Sequence, residues 1–204
     1  MDRGQDRGEG RVARTALEEL EAYWRELGGA RRIPVRTQVE PSRIDAILPQ
    51  CFILEHVAPG VARMRVVGQM LNTLAGNDLR GMPLSALFDV ESRPALQSWL
   101  TRVFKGPALV EVPLRQSAGF LRGARTGRML ILPLLGAEGV VTRAIGAVTV
   151  DEGWTARQFG IDPRAGLRCE DIEQVGAAPL RVIAGGAPQP RPARGGLRLV
   201  VSNG

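Results

Sequence analysis

Between Cys51 and Gly81 the chain reads CFILEHVAPGVARMRVVGQMLNTLAGNDLRG, and its hydrophobic period changes once, at Gly68. Upstream of that glycine, two runs of strand character, CFILEHV and VARMRVV, are separated only by Ala58, Pro59 and Gly60, the punctuation of a β-hairpin. In the second run Ala62, Met64 and Val66 alternate with Arg63 and Arg65, which predicts one buried face and one that meets water. Downstream, Met70, Leu71 and Leu74 fall at helical spacing, Gly76 stands where a helix would stop on a left-handed residue, and DLRG follows as a turn. A hairpin that runs straight into short helices, with more strands to come, is the opening half of a small sheet cupped around helices.

On the N-terminal side, residues 1–14 are rich in glycine and charge and read as disordered. Thr15 and Glu18 have capping-box spacing, and Ala16, Leu17, Leu20, Tyr23, Trp24 and Leu27 recur at three- and four-residue intervals before Gly28 and Gly29. This amphipathic helix must bury its stripe on the sheet of its own chain or on a second copy, which makes Leu17, Leu20, Tyr23 and Trp24 the candidate interaction residues. Glu21 and Arg25 lie one turn apart on its solvated side. An extended stretch through Pro34 leads to Pro41 and a short helix carrying Ile44, Ile47 and Leu48, closed by Pro49.

Beyond Gly81, Ser92 is placed to cap a helix whose Leu96, Trp99, Leu100, Val103 and Phe104 form a stripe wide enough to cover one face of a sheet. Three strands follow: ALVEVPLR, GRMLILPLL and TRAIGAVTVD. The glycine-rich loop QSAGFLRGART makes a wide hairpin of the first two, with room for a partner at its tip. Residues 152–204 read as a low-complexity basic tail in which only LRLVV has strand character. The fold class expected is therefore α+β: a five-stranded antiparallel sheet with its helices inserted after the second strand and an amphipathic helix in front, a single domain over residues 15–151.

That order of elements resembles the PAS domain. The likeness extends to a subfamily of small bacterial PAS proteins with an element W-x-x-L-x-G-x-x-x-x-P-x-R before the first strand. It is present here as Trp24, Leu27, Gly29, Pro34 and Arg36, followed by Pro41, Leu48-Pro49, Val67-Gly68, Gly76, Leu79 and Gly81. The match runs from about Tyr23 to Asp151 and departs from the pattern at Gln69, where a small hydroxyl residue is expected. The resemblance implies a sensory or regulatory module in signal transduction, acting by protein–protein interaction and small-ligand binding, with no enzymatic activity. A ligand pocket would be lined by Ile53, Met64, Val66, Met70, Leu74, Leu100 and Ile131; the same residues would equally serve as core.

No cofactor follows from the residues. The single histidine, His56, lies in the first strand rather than on the long helix where haem-binding PAS domains place theirs, and it reads as a satisfied or solvent-facing side chain. No cysteine lies between Cys51 and Cys169, which argues against the photochemistry of flavin-binding relatives. The two cysteines have no C-x-x-C spacing and read as reduced thiols. Phosphate-binding glycine loops, a Ser/His/Asp set and metal-ligand spacing are all absent from the sequence, and Glu170, Asp171 and Glu173 read as a solvated acidic turn. No residue is expected to be catalytic or to hold a metal.

The net charge of +6 and pI near 10.7 raise nucleic acid as an alternative partner. All but one of the 27 basic residues are arginines, interleaved with acids until Arg181, Arg191, Arg194 and Arg198 in the tail, so the nucleic-acid alternative rests on that tail. No apolar run approaches the roughly 20 residues that cross a bilayer, and the N-terminus is charged where a secretory signal is apolar; the location expected is the cytoplasm. The partners expected are an unidentified regulatory protein and a second copy in a homodimer, with no membrane.

Overall fold

The structure, a computed structural model of the chain, describes residues 6–29, 33–116, 125–162 and 164–172, with side chains from Ala16 onward. Helix α1 (Asp6–Gly28) precedes a hairpin of β1 (Cys51–Ala58) and β2 (Val61–Val67), then α2 (Gln69–Ala75) and α3 (Arg93–Lys105). Strands β3 (Ala108–Gln116), β4 (Arg125–Leu135), β5 (Val141–Val150), β6 (Gly160–Ile161) and β7 (Arg168–Asp171) complete it. Short 3-10 turns at Arg36–Gln38, Pro41–Arg43 and Asp45–Gln50 lead into β1, and Leu84–Leu87 forms another before α3. The described strands make one antiparallel sheet in the order β2-β1-β5-β4-β3-β6, with β7 also pairing with β3. The PAS-like α+β class and the five expected strands stand; two further strands extend the sheet.

Register divides the side chains between two layers. Leu54, Met64, Ala144 and Ile131 share one face with His56, whose ring stacks on Phe104 of α3 at 4.8 Å. Ile53, Ile145, Leu132 and Glu111 fall on the opposite face, where Glu21 of α1 and Glu111 of β3 meet a common arginine, Arg168. The whole of Met129–Leu134 and Ala144–Thr149 is buried, so β4 and β5 are covered from both sides. Leu17, Leu20, Tyr23 and Trp24 all lie in the core, and Trp24 Nε1 donates to the Pro133 carbonyl at 2.8 Å. Of the two destinations open to the helix stripe, the structure takes the sheet of its own chain.

Close approaches set several joints. Gly76 ends α2 at φ 72°, as its position after Leu74 predicts. Gly68 starts the same helix where a Cβ would stand 2.2 Å from the Pro49 carbonyl oxygen, so only glycine lets β2 turn into α2 beside the Asp45–Gln50 turn. On the free side of β2, Met64 N–H donates to Met82 O at 2.9 Å and Met64 O accepts from Gly81 N–H at 2.7 Å.

Five expectations are corrected. Residues 6–14, read as disordered, belong to α1, and Thr15 and Glu18 lie inside the helix instead of capping it; once Leu17 to Trp24 are anchored, adding turns upstream costs less than starting a helix. The tail does not begin at 152: Trp154, Phe159 and Ile161 are buried, β6 pairs with Leu114 and Arg115, and β7 runs along Ala108–Glu111. The Glu170 and Asp171 of the supposed acidic turn are therefore strand residues. Ser92 does not cap α3 with its side chain; its Oγ accepts from Ile161 N–H at 2.9 Å, tying β6 to the helix entrance. The late strand expected at LRLVV lies outside the described residues.

Two outcomes test this packing. A chain shortened to end at Asp151 will unfold at lower urea concentration than one ending at Ile172, since it loses three buried apolar side chains and two strand pairings. Leu20→Asp will cost about 3 kcal/mol or more, read as a fall in the urea midpoint by circular dichroism, because it buries a carboxylate between α1 and the sheet.

Candidate functional site

The sheet offers two faces to a ligand or partner. On the α3 side, Met64, Leu100 and Ile131 are fully buried in one core, with Met70 and Leu74 of α2 half-buried at its margin. The ring of Phe52 lies across Gly146, where a Cβ would come within 2.3 Å of its Cζ, so the chain's own aromatic covers the middle of β5. His56, expected to be satisfied or in solvent, is neither: its Nε2 is buried without a hydrogen-bond partner. Its ring packs against that of Phe104.

Ile53 and Val66 do not join that group. Pairing steps from Ile53↔Val66 to Leu54↔Met64, which leaves Arg65 unmatched in a β-bulge. The bulge breaks the alternation of β2, so Val66 turns to the opposite face from Met64, where it is 45% exposed. There it helps to line an apolar groove of about 490 Å³, together with Val39, Ile44, Leu48, Ile53 and Ile145, and with Arg36, Asp45 and Gln69 as its polar members. Periodicity alone could not reveal this groove, but Arg36, Pro41 and Leu48-Pro49, singled out in the sequence, help to wall it. Cys51 also borders it; burial pushes its thiol up to about 12, so it stays protonated and is no nucleophile at neutral pH.

The α1 face is held by charge as well as by packing. Glu21 pairs with Arg25 at 2.8 Å and with Arg168 of β7 at 2.6 Å, and both arginines reach Glu170 at about 3 Å. Arg168 lies 3.8 Å from Glu111, which takes Arg128 of β4 at 2.8 Å. Burial acts to raise the Glu21 carboxyl, but the Arg168 and Arg25 guanidinia outweigh it and hold it below the ordinary range. Arg25 and Arg168 depress Glu170 in the same direction. Tyr23 accepts from Glu40 N–H at 2.7 Å through its hydroxyl, fixing the segment that follows the helix.

A sequence profile of the PAS domain family matches residues 12–149, from the first turns of α1 to the end of β5. The chain belongs to the PAS domain family. Its match stops short of β6 and β7, which are thus an extension of the PAS domain in this protein. Among solved structures, the LOV domain of the blue-light photoreceptor Aureochrome1 is 15% identical, with a TM-score of 0.38 over 55% of this chain and 89% of that one. The PAS domain of Bordetella pertussis BvgS is 13% identical, with a TM-score of 0.36 over 65% and 85%. An RNA-binding light-oxygen-voltage receptor is 18% identical, with a TM-score of 0.38 over 56% of this chain and 33% of that one. No curated protein matches.

The glutamates that bind α1 to β7 make this contact acid-sensitive. Their carboxyls are lowered on folding, so they stabilise the PAS domain above the ordinary glutamate value of 4.5, and that contribution is lost as pH falls through their depressed values. Below about pH 4, amides in α1 will therefore lose protection relative to the unfolded chain before those in β4 and β5, and Glu21→Gln will flatten that dependence.

Proposed function

We propose that this PAS domain is a sensory and regulatory module that works by binding, passing a signal to a partner protein without chemistry of its own. The observation that carries the reading is the family match over residues 12–149, which takes in both layers of the sheet and the helix pinned across it. A small ligand would enter on the α3 side, among Met64, Met70, Leu74, Leu100 and Ile131, where the side chains are apolar and two of the five are half-buried on a seven-residue helix.

Neither haem nor a photoactive flavin is part of the proposal. His56 already packs on Phe104, Cys51 belongs to the opposite face with a protonated thiol, and Cys169 is on β7. The proposal is of a ligand held on the α3 side without a covalent bond. No described helix is long and apolar enough to cross a membrane, and a cytoplasmic location is part of the proposal.

The partner is a regulatory protein. A homodimer through Leu17, Leu20, Tyr23 and Trp24 would require α1 to leave its own sheet, so that form of the dimer is an exchange of α1 between copies. The nucleic-acid alternative rests on Arg181 to Arg198, which lie outside the described residues, while described arginines such as Arg25, Arg43, Arg128 and Arg168 already meet carboxylates.

Photo-crosslinking in cells from exposed positions Val57 and Val90, followed by rebinding of the captured protein to the purified PAS domain, tests the reading. A partner that rebinds with micromolar or tighter affinity, together with native mass spectrometry reporting copy number and retained ligand, is the expected result. A bare chain that rebinds nothing overturns it.

A further inference from the structure

The family element before β1 leaves one residue without structural work. Trp24 is buried and bonded to Pro133, Leu27 packs on the core, Gly29 takes φ 68°, and the Pro34 carbonyl accepts from Leu135 N–H at 2.9 Å. Arg36 differs: the residue is half-buried, and among the described residues its side chain makes no hydrogen bond and no ion pair. It stands on the groove of about 490 Å³, whose other lining is almost wholly apolar. Asp45 shares the groove without pairing with it, its Oδ1 accepting from Ala46 N–H at 2.8 Å.

We propose that this groove binds a free amphipathic monocarboxylate, an unbranched aliphatic acid of medium length. The acyl chain lies along Val39, Ile44, Ile53, Val66 and Ile145, and the carboxylate meets the fork of Arg36. The size falls inside the roughly 300–1,000 Å³ of small-molecule sites. A guanidinium partly withdrawn from water gains most from a planar anion that accepts two of its N–H groups, and an apolar channel leading away from that anion selects for an aliphatic tail. Val66, left largely exposed by the bulge in β2, becomes covered by the same occupant. The groove lies on the opposite face of the sheet from Met64, Leu100 and Ile131, and it borders Gly68 and Gln69 at the start of α2. Its occupant therefore touches the joint between β2 and α2, and the inference stands apart from any ligand on the α3 side.

Octanoate is the probe, titrated into the full chain by calorimetry and followed by amide chemical shifts, with 1-octanol as the uncharged control. Expected are saturable one-to-one binding, shifts centred on residues 36–48, Val66 and Gln69, and at least a tenfold preference for octanoate over octanol. Arg36→Gln will weaken octanoate about tenfold, leave octanol unchanged and keep the melting temperature, while Arg36→Lys will restore part of the affinity. Val66→Asp will abolish binding of both probes. The proposal is overturned by absent or non-saturable binding, by equal affinity for octanoate and octanol, or by indifference to Arg36→Gln. Shifts confined to Met64, Leu100 and Ile131 overturn it too, as does a doubled mass with the groove residues protected by a second copy.

Discussion

Strands β4 and β5 bury side chains on both faces over six consecutive residues each, and this double burial dictates how the rest of the chain is layered. An antiparallel sheet of this size can leave one face in water; here neither side of its middle is suited to that, so two separate covers are needed. The cover formed by α2 and α3 comes from the segment between β2 and β3. The other comes from α1 at the far end of the chain, brought back across the sheet by Leu17, Leu20 and Trp24 and by the Trp24 bond to Pro133. Helix α1 is thus as much part of the core as any strand, even though it precedes the first strand by more than twenty residues.

Much of this was legible because it rests on periodicity. The β1–β2 hairpin, the α1 stripe and the α3 stripe are repeats long enough to declare their period, and Gly76 marks a stop by its position. What was not legible has no period to show. A strand of two residues such as β6, or of four such as β7, is specified by the edge that receives it, and no local pattern announces the pairing of Gly160 with Arg115. A single bulge was equally opaque: the unmatched Arg65 reverses the side to which Val66 points and splits the expected pocket between two faces. Arg36 was visible as the last residue of a motif, but its place on the wall of a groove emerges only when it is laid beside Ile53 and Val66.

Charge is organised differently from what the total suggests. A chain with 27 basic and 21 acidic residues could present a basic surface, yet Arg25, Arg43, Arg65, Arg102, Arg128, Arg143 and Arg168 each pair with a carboxylate on another element. The row from Arg128 through Glu111, Arg168 and Glu21 to Arg25 and Glu170 joins β4, β3, β7 and α1, so the extension beyond the family match shares its fastenings with the N-terminal helix. Individually such partly exposed pairs contribute little; as a network they fix the direction in which α1 lies across the strands. Arg36 lies outside these pairs and, with Asp45 and Gln69, supplies the polar side chains of the neighbouring groove.

The pairing of Met64 with Gly81 and Met82, and of β3 with β6 and β7, has a consequence for recognition. At Met64 of β2 and where β6 and β7 pair with β3, backbone amides and carbonyls are engaged by the protein's own chain, so a visiting peptide has no ladder to extend at those places. Recognition by β-augmentation is thereby closed off at Met64 and along most of β3, and a partner must read side chains on a surface, or move one of these short flanking segments aside first.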